Sequence, residues 1–170
     1  MTSAILVLRL AGADELANVL RWPNAAIALL VAGYTAFLFA QCKGRDLWES
    51  RLLLPHLLVL AVLTGAVVLL PVAENMLLID VALISGLLHI GFIMFERHGR
   101  HHTDNARQAA AFLGTVRLWN VPAFDAGIVL IIFSLFLLLV APGFVWIPAL
   151  LGIYFYEHAY VRAAQLPPLS

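Results

Sequence analysis

The sequence predicts an all-α integral membrane protein, a helical bundle with about five transmembrane helices. An interfacial helix at the N-terminus and an amphipathic helix in a cytoplasmic loop complete the predicted fold. Of the 170 residues, 63% are hydrophobic and 12% are charged, whereas soluble domains average about 45–50% apolar and 25% charged residues. The apolar residues also form stretches of about 20, the length that a helix needs to cross the roughly 30 Å hydrocarbon core.

The predicted spans are the apolar stretches 24–41, 52–70, 76–95, 124–141 and 144–161. Pro142 and Gly143 separate the last two, and this pair favours a tight hairpin over one long helix. Together the spans form a predicted transmembrane bundle over residues 24–162, followed by a short C-terminal tail over 163–170.

The N-terminal segment 1–23 is predicted to lie at the membrane interface. Its apolar run is interrupted by Arg9, Asp14 and Glu15, which argues against a signal peptide. Trp22 and Pro23 are predicted to end this helix and open the first span, because proline is tolerated in a first helical turn.

The charge distribution predicts sidedness, with the N-terminus outside and the C-terminus cytoplasmic. The net charge is zero, so the chain has no overall basic field for nucleic acid. The positive-inside rule assigns the side with more Lys and Arg to the cytoplasm. If the spans alternate, one side holds only Arg9 and Arg21, and the other holds Lys43, Arg45, Arg51, Arg97, Arg100, Arg107, Arg117 and Arg162.

Ionisable residues within the spans are the candidates for function, because they are costly in lipid. His56 and His89 lie about 6 Å and 9 Å from the cytoplasmic ends of the second and third spans, at comparable depth. We predict a titratable proton route in the cytoplasmic half, since imidazole and carboxylate groups exchange protons near neutral pH. The candidate residues are His56, Asp80, His89, Asp125, Glu157 and His158.

Three alternatives stay open for these residues. Glu96, Asp125, Glu157 and His158 lie near helix ends, so their side chains can snorkel to the headgroups as interface residues. His56 and His89 can form a structural hydrogen bond between helices, or they can be the axial ligands of a b-type haem.

The segments outside the spans predict no catalytic or metal site. The polar segment 96–120 contains His98, Arg100, His101 and His102, which we interpret as a basic loop that holds anionic lipid or a partner. Cys42, the single cysteine, has no Cys or His partner at metal-ligand spacing.

Two segments resemble the NrfD/PsrC family, the membrane subunits of polysulfide reductase, related iron–sulfur molybdoenzymes and alternative complex III. YTAFLFAQCKGRDLWESRLLLPHLLVLAVLTG, residues 34–65, is similar to the family helix that ends in a Lys-Gly-x-x-x-Trp loop. YEHAYVRAAQLPPLS, residues 156–170, is similar to the family tail. The chain departs from the family pattern at Ala36, Pro55 and Ala164. Family members carry eight to ten spans in two bundles, and this chain matches their later portion.

The resemblance implies a non-catalytic membrane subunit of a quinone-linked respiratory oxidoreductase in the bacterial inner membrane. Its implied partners are an iron–sulfur subunit, a catalytic redox subunit and a second membrane subunit that supplies the missing helices. The chain alone is expected to bind no cofactor, with menaquinone or ubiquinone bound in the assembled complex. The alternatives are a structural or assembly anchor and an autonomous proton or ion carrier.

Overall fold

The computed structural model describes residues 10–73 and 75–168, and within them the chain is mainly helical. Helices close most backbone hydrogen bonds internally, which an apolar chain in lipid requires. A turn at Pro142–Phe144 joins the last two helices. Two short antiparallel strands, β1 (Arg117–Leu118) and β2 (Val121–Pro122), form a hairpin before the fifth helix. The helices are α1 (Asp14–Ala40), α2 (Leu53–Leu69), α3 (Met76–His98), α4 (Asp104–Phe112), α5 (Ala123–Val140) and α6 (Trp146–Ala163).

Three of these helices, α1, α3 and α5, are long and apolar enough to cross a membrane. The prediction of an all-helical membrane protein is confirmed at that level, whereas five spans remain a prediction. α2 has 17 residues, or about 26 Å of rise, somewhat less than the hydrocarbon thickness. α6 carries Glu157, His158 and Arg162 in its last two turns, which makes it less apolar than α3 and α5.

The predicted break at Trp22 and Pro23 is wrong. α1 continues without interruption through both residues. A proline removes a single helical hydrogen bond, and membrane helices tolerate that loss, so Pro23 does not by itself end a helix. Residues 1–9 of the predicted interfacial segment lie outside the described residues, and those from Asp14 onward belong to the long helix.

Two helices, α3 and α4, begin at side-chain caps. The Asn75 Oδ1 atom accepts a hydrogen bond from the Leu78 amide, 3.0 Å away, at the start of α3. The Thr103 hydroxyl accepts one from the Ala106 amide, 3.1 Å away, at the start of α4. Such caps satisfy amides that a helix start leaves free. The predicted amphipathic loop helix is therefore present, and it buries Ala106, Ala109 and Ala110 against the bundle.

α5 and α6 form a close antiparallel pair built on two glycines. Gly127 faces the backbone of Tyr156, and Gly152 faces Ile131. A β-carbon placed on Gly127 would lie 2.9 Å from the Tyr156 nitrogen and 3.0 Å from the Gly152 oxygen. Small residues allow membrane helices to approach at such distances, and this approach carries Tyr156 into the centre of the bundle.

The loop before α2 is fixed to the end of α6 by Arg45. Its Nη1 atom donates to the carbonyl oxygens of Ala164, Gln165 and Pro167, at 3.2, 3.0 and 2.8 Å. The Tyr160 hydroxyl also donates to the Leu47 carbonyl, 3.0 Å away. A cation at a helix C-terminus stabilises carbonyl groups that the helix leaves unpaired. The first loop and the C-terminal tail therefore form one joined surface, which we call the loop–tail junction.

Replacing Arg45 with alanine is expected to lower the free energy of unfolding by about 2 kcal/mol, because charge-assisted hydrogen bonds contribute roughly 1.5–3 kcal/mol. Denaturant titration in detergent micelles, followed by tryptophan fluorescence, measures the change. Lys43→Ala is the control, since the Lys43–Glu49 ion pair is exposed and 3.8 Å long, and such pairs stabilise little. Equal stability of the two variants would contradict a stabilising role of the junction.

Candidate functional site

A cluster of buried polar side chains lies between α2, α3 and α6. It consists of His56 from α2, His89 and Glu96 from α3, and Tyr156 from α6, each at most 2% exposed. His89 and Glu96 are seven residues apart, which is about two helical turns, so they share one face of α3 and differ in depth by about 10 Å. Glu96 lies near the C-terminal end of α3, and His89 lies deeper in the bundle.

The four side chains are joined end to end by hydrogen bonds. The Tyr156 hydroxyl donates to the Glu96 Oε2 atom. The Glu96 Oε1 atom lies 2.9 Å from the His56 Nδ1 atom. On its other side, the His56 Nε2 atom lies 2.7 Å from the His89 Nδ1 atom. We call this series, Tyr156, Glu96, His56 and His89, the buried chain.

Aromatic packing holds the imidazole rings in place. The Phe92 ring stacks on His56 with centroids 5.1 Å apart and an interplanar angle of 19°. The Tyr156 ring meets His89 edge to face at 5.3 Å. Because packing and hydrogen bonds together fix the rings, the donors and acceptors are already aligned, as a proton relay requires.

The hydrogen-bond pattern admits two protonation states that differ by one proton. With an ionised Glu96 and two neutral histidines, His56 Nδ1–H donates to Glu96 and His89 Nδ1–H donates to His56, which leaves the His89 Nε2 lone pair free. When a proton binds this lone pair, His89 passes its Nδ1 hydrogen to His56 Nε2. His56 in turn passes its Nδ1 hydrogen to the Glu96 carboxylate. Glu96 and His56 then share the added proton, and both hydrogen bonds persist.

The deep end of the buried chain is open. The His89 Nε2 atom is buried and has no hydrogen-bond partner among the described residues. Beyond His89, on the side away from Glu96, the buried polar side chains of the described part are Ser85 and Ser134. Both hydroxyls donate to carbonyls of their own helices. A titratable chain is therefore built in one half of the bundle.

The structure brings together two of the six candidate residues predicted from the sequence, His56 and His89. Asp80 and Asp125 are exposed on α3 and α5. Glu157 and His158 are half-buried on α6, and no hydrogen bond joins their side chains to the buried chain. Similar depth in the predicted spans identified the two histidines. Depth alone does not distinguish residues of the buried chain from ionisable residues nearby that face away from it.

Sequence reasoning missed Glu96 and Tyr156 as members of the site. Glu96 was interpreted as an interface residue because it ends a span, yet it is 2% exposed. Its seven-residue spacing from His89 was the signal that both lie on one helix face. Tyr156 carried no comparable signal, because its position depends on the close approach of α6 at Gly127.

The geometry of the histidine pair does not fit a haem. Axial ligands bind iron from opposite faces of the ring, so the iron must lie between their nitrogens. Here the His56 Nε2 and His89 Nδ1 atoms are in direct contact at 2.7 Å. In the described part of the chain, the His, Cys, Asp and Glu side chains also form no group of three that could hold a metal ion.

No known protein family, curated protein or solved structure matches this chain.

Proposed function

We propose that the chain is a membrane subunit of a quinone-linked respiratory oxidoreductase and that its buried chain is a proton half-channel. The half-channel runs from the cytoplasmic end of α3 toward the middle of the bundle. The observation that carries this proposal is the unbroken hydrogen bonding from Glu96 through His56 to His89. In this proposal α2 and α6 also cross the membrane, which makes five spans with the N-terminus outside.

The one-sided position of the buried chain favours a redox subunit over an autonomous carrier. A carrier needs titratable or hydrated groups across the whole membrane, whereas the buried polar side chains beyond His89 in the described part are those of two neutral serines. A half-channel instead suits a reaction in the membrane that consumes or releases protons. Quinone reduction takes up protons and quinol oxidation releases them.

The partners follow from the resemblance and belong to the same proposal. They are an iron–sulfur subunit, a catalytic redox subunit and a second membrane subunit, in the bacterial inner membrane. One structural observation supports treating the two resembling segments as a unit: Arg45 in the first contacts Ala164 and Gln165 in the second. The resulting loop–tail junction offers a continuous surface to a neighbouring subunit.

The proposal is tested on the native complex, purified through a tag on this chain in a gentle detergent. Mass spectrometry identifies co-purifying subunits, and turnover of an added soluble quinone measures activity. His56→Phe is expected to keep the partners and to lower turnover at least tenfold, because a phenyl ring can neither bind nor release a proton in the buried chain. His98→Phe is the control, since His98 is exposed and lies outside the buried chain.

Other outcomes identify the alternatives. If partners co-purify and His56→Phe retains full turnover, the chain is a structural anchor. If the chain is purified alone and transports protons in liposomes, it is an autonomous carrier. Either result overturns the proposed half-channel.

A further inference from the structure

The loop before α2 and the turn after α3 line a cavity of about 560 Å³. Phe95 and Leu52 line it. Phe95 is the neighbour of Glu96 in sequence, and Leu52 lies one turn before His56, since its carbonyl accepts the His56 amide at 3.0 Å. The cavity therefore ends within about one helical turn of both members of the Glu96–His56 pair.

The cavity is polar and titratable on its loop side. Its charged or titratable lining residues are Asp46, Glu49, Arg51, Arg100, His101 and His102. Such a lining holds water, which bridges polar groups where direct contacts are missing. Glu96 itself is 2% exposed, so its proton needs a group that connects it to this water.

His101 follows the end of α3 and belongs to the cavity lining. α3 ends at His98, and the chain then turns through Gly99 and Arg100, which brings His101 back beside the helix end. His101 lines the cavity, and its Nε2 atom is buried without a hydrogen-bond partner in the described part of the chain. An imidazole with a free nitrogen binds a proton on one side and releases one from the other.

The electrostatics of His101 connect it to Glu96. Desolvation by neighbouring groups lowers the pKa of His101, and the charges of Arg107 and His102 act in the same direction. The backbone carbonyl and the carboxylate of Glu96 act in the opposite direction. The imidazole is therefore held mainly neutral near pH 7, with a carboxylate close enough to favour its transient protonation.

We propose that the cavity is the proton inlet and outlet of the half-channel and that His101 carries the proton between Glu96 and cavity water. In the outward direction, protonated Glu96 gives its proton to a free nitrogen of His101. The resulting imidazolium gives its other N–H proton to a water molecule in the cavity. The inward direction reverses both transfers. This inference rests on the proposed function and names the group that connects the buried chain to the cytoplasm.

Hydrogen exchange of the buried histidine tests the inference without turnover. The full chain, with 15N-labelled histidine and reconstituted in lipid nanodiscs, is transferred to D₂O, and NMR follows the loss of the His56 Nδ1–H signal. His101→Gln is expected to slow this exchange at least tenfold. His98→Gln, at an exposed position outside the cavity lining, is expected to exchange at the wild-type rate.

The outcomes separate this inference from the proposed function. If His101→Gln exchanges at the wild-type rate, or if both variants slow the exchange equally, the role of His101 is overturned. The half-channel itself is judged by the turnover of His56→Phe and can stand without His101. If His56→Phe retains full turnover, the half-channel fails whatever the exchange rates are. Before exchange, the chemical shift of His56 Nδ1–H reports whether each variant retains the folded site.

Discussion

Replacing Glu96 with alanine is expected to lower the free energy of unfolding by about 3–5 kcal/mol, the range for breaking a buried polar pair by removing one partner. The Glu96 carboxylate accepts hydrogen bonds from the Tyr156 hydroxyl and, in its ionised state, from His56 Nδ1–H. Alanine leaves both donors buried without an acceptor, and it leaves a cavity between α3 and α6. Denaturant titration of the purified chain in mixed micelles measures the change.

Glu96→Gln separates stability from proton transfer. The glutamine side chain has nearly the same size, and its oxygen can still accept from His56, so the expected loss of stability is only about 1–2 kcal/mol. Because an amide does not titrate, the proposed function nevertheless predicts that quinone-linked turnover of the purified complex falls at least tenfold. Wild-type turnover in a folded Glu96→Gln complex would exclude Glu96 from the proton path.

Gly127→Ala is expected to lower the free energy of unfolding by about 1–3 kcal/mol, the usual cost of overpacking. The added methyl group meets backbone atoms of Tyr156 and Gly152 at about 3 Å, and backbone atoms cannot turn away. α5 and α6 must therefore separate, which displaces the Tyr156 hydroxyl from Glu96. The same denaturant titration measures the loss of stability.

Gly91→Ala is the matched control for Gly127→Ala. A β-carbon on Gly91 meets no atom within 4 Å, and alanine is favoured over glycine in a helix interior by roughly 0.5–1 kcal/mol. Gly91→Ala is therefore expected to be neutral or slightly stabilising. Similar losses for both variants would show that the Gly127–Gly152 approach does not limit the packing of the bundle.

Much of the fold could be predicted because the pattern of apolar residues is local information. Composition and stretch length predict helices close to the observed α2, α3, α5 and α6, and Pro142–Gly143 marks the turn between the last two. The start of α1 could not be predicted in the same way. Proline permits both a helix start and a helix interior in a membrane protein, and the local sequence around Pro23 does not decide between them.

The site was less predictable because its geometry depends on contacts between distant helices. His56 and His89 were found because histidines are rare in apolar helices and these two have similar depth. Glu96 was assigned to the interface, since depth alone cannot distinguish a side chain that faces the bundle from one that reaches the headgroups. Tyr156 and Arg45 act through partners far away in sequence, which no local pattern encodes.

The loop–tail junction also has a consequence for the order in which the protein is made. Arg45 and its carbonyl partners are separated by 119 to 122 positions in the chain, so the ribosome must synthesise nearly every helix before these groups can meet. The first helices therefore enter the membrane before the loop–tail junction can form. The surface formed by the junction is completed last, so a neighbouring subunit that recognised it would bind chains whose insertion was already finished.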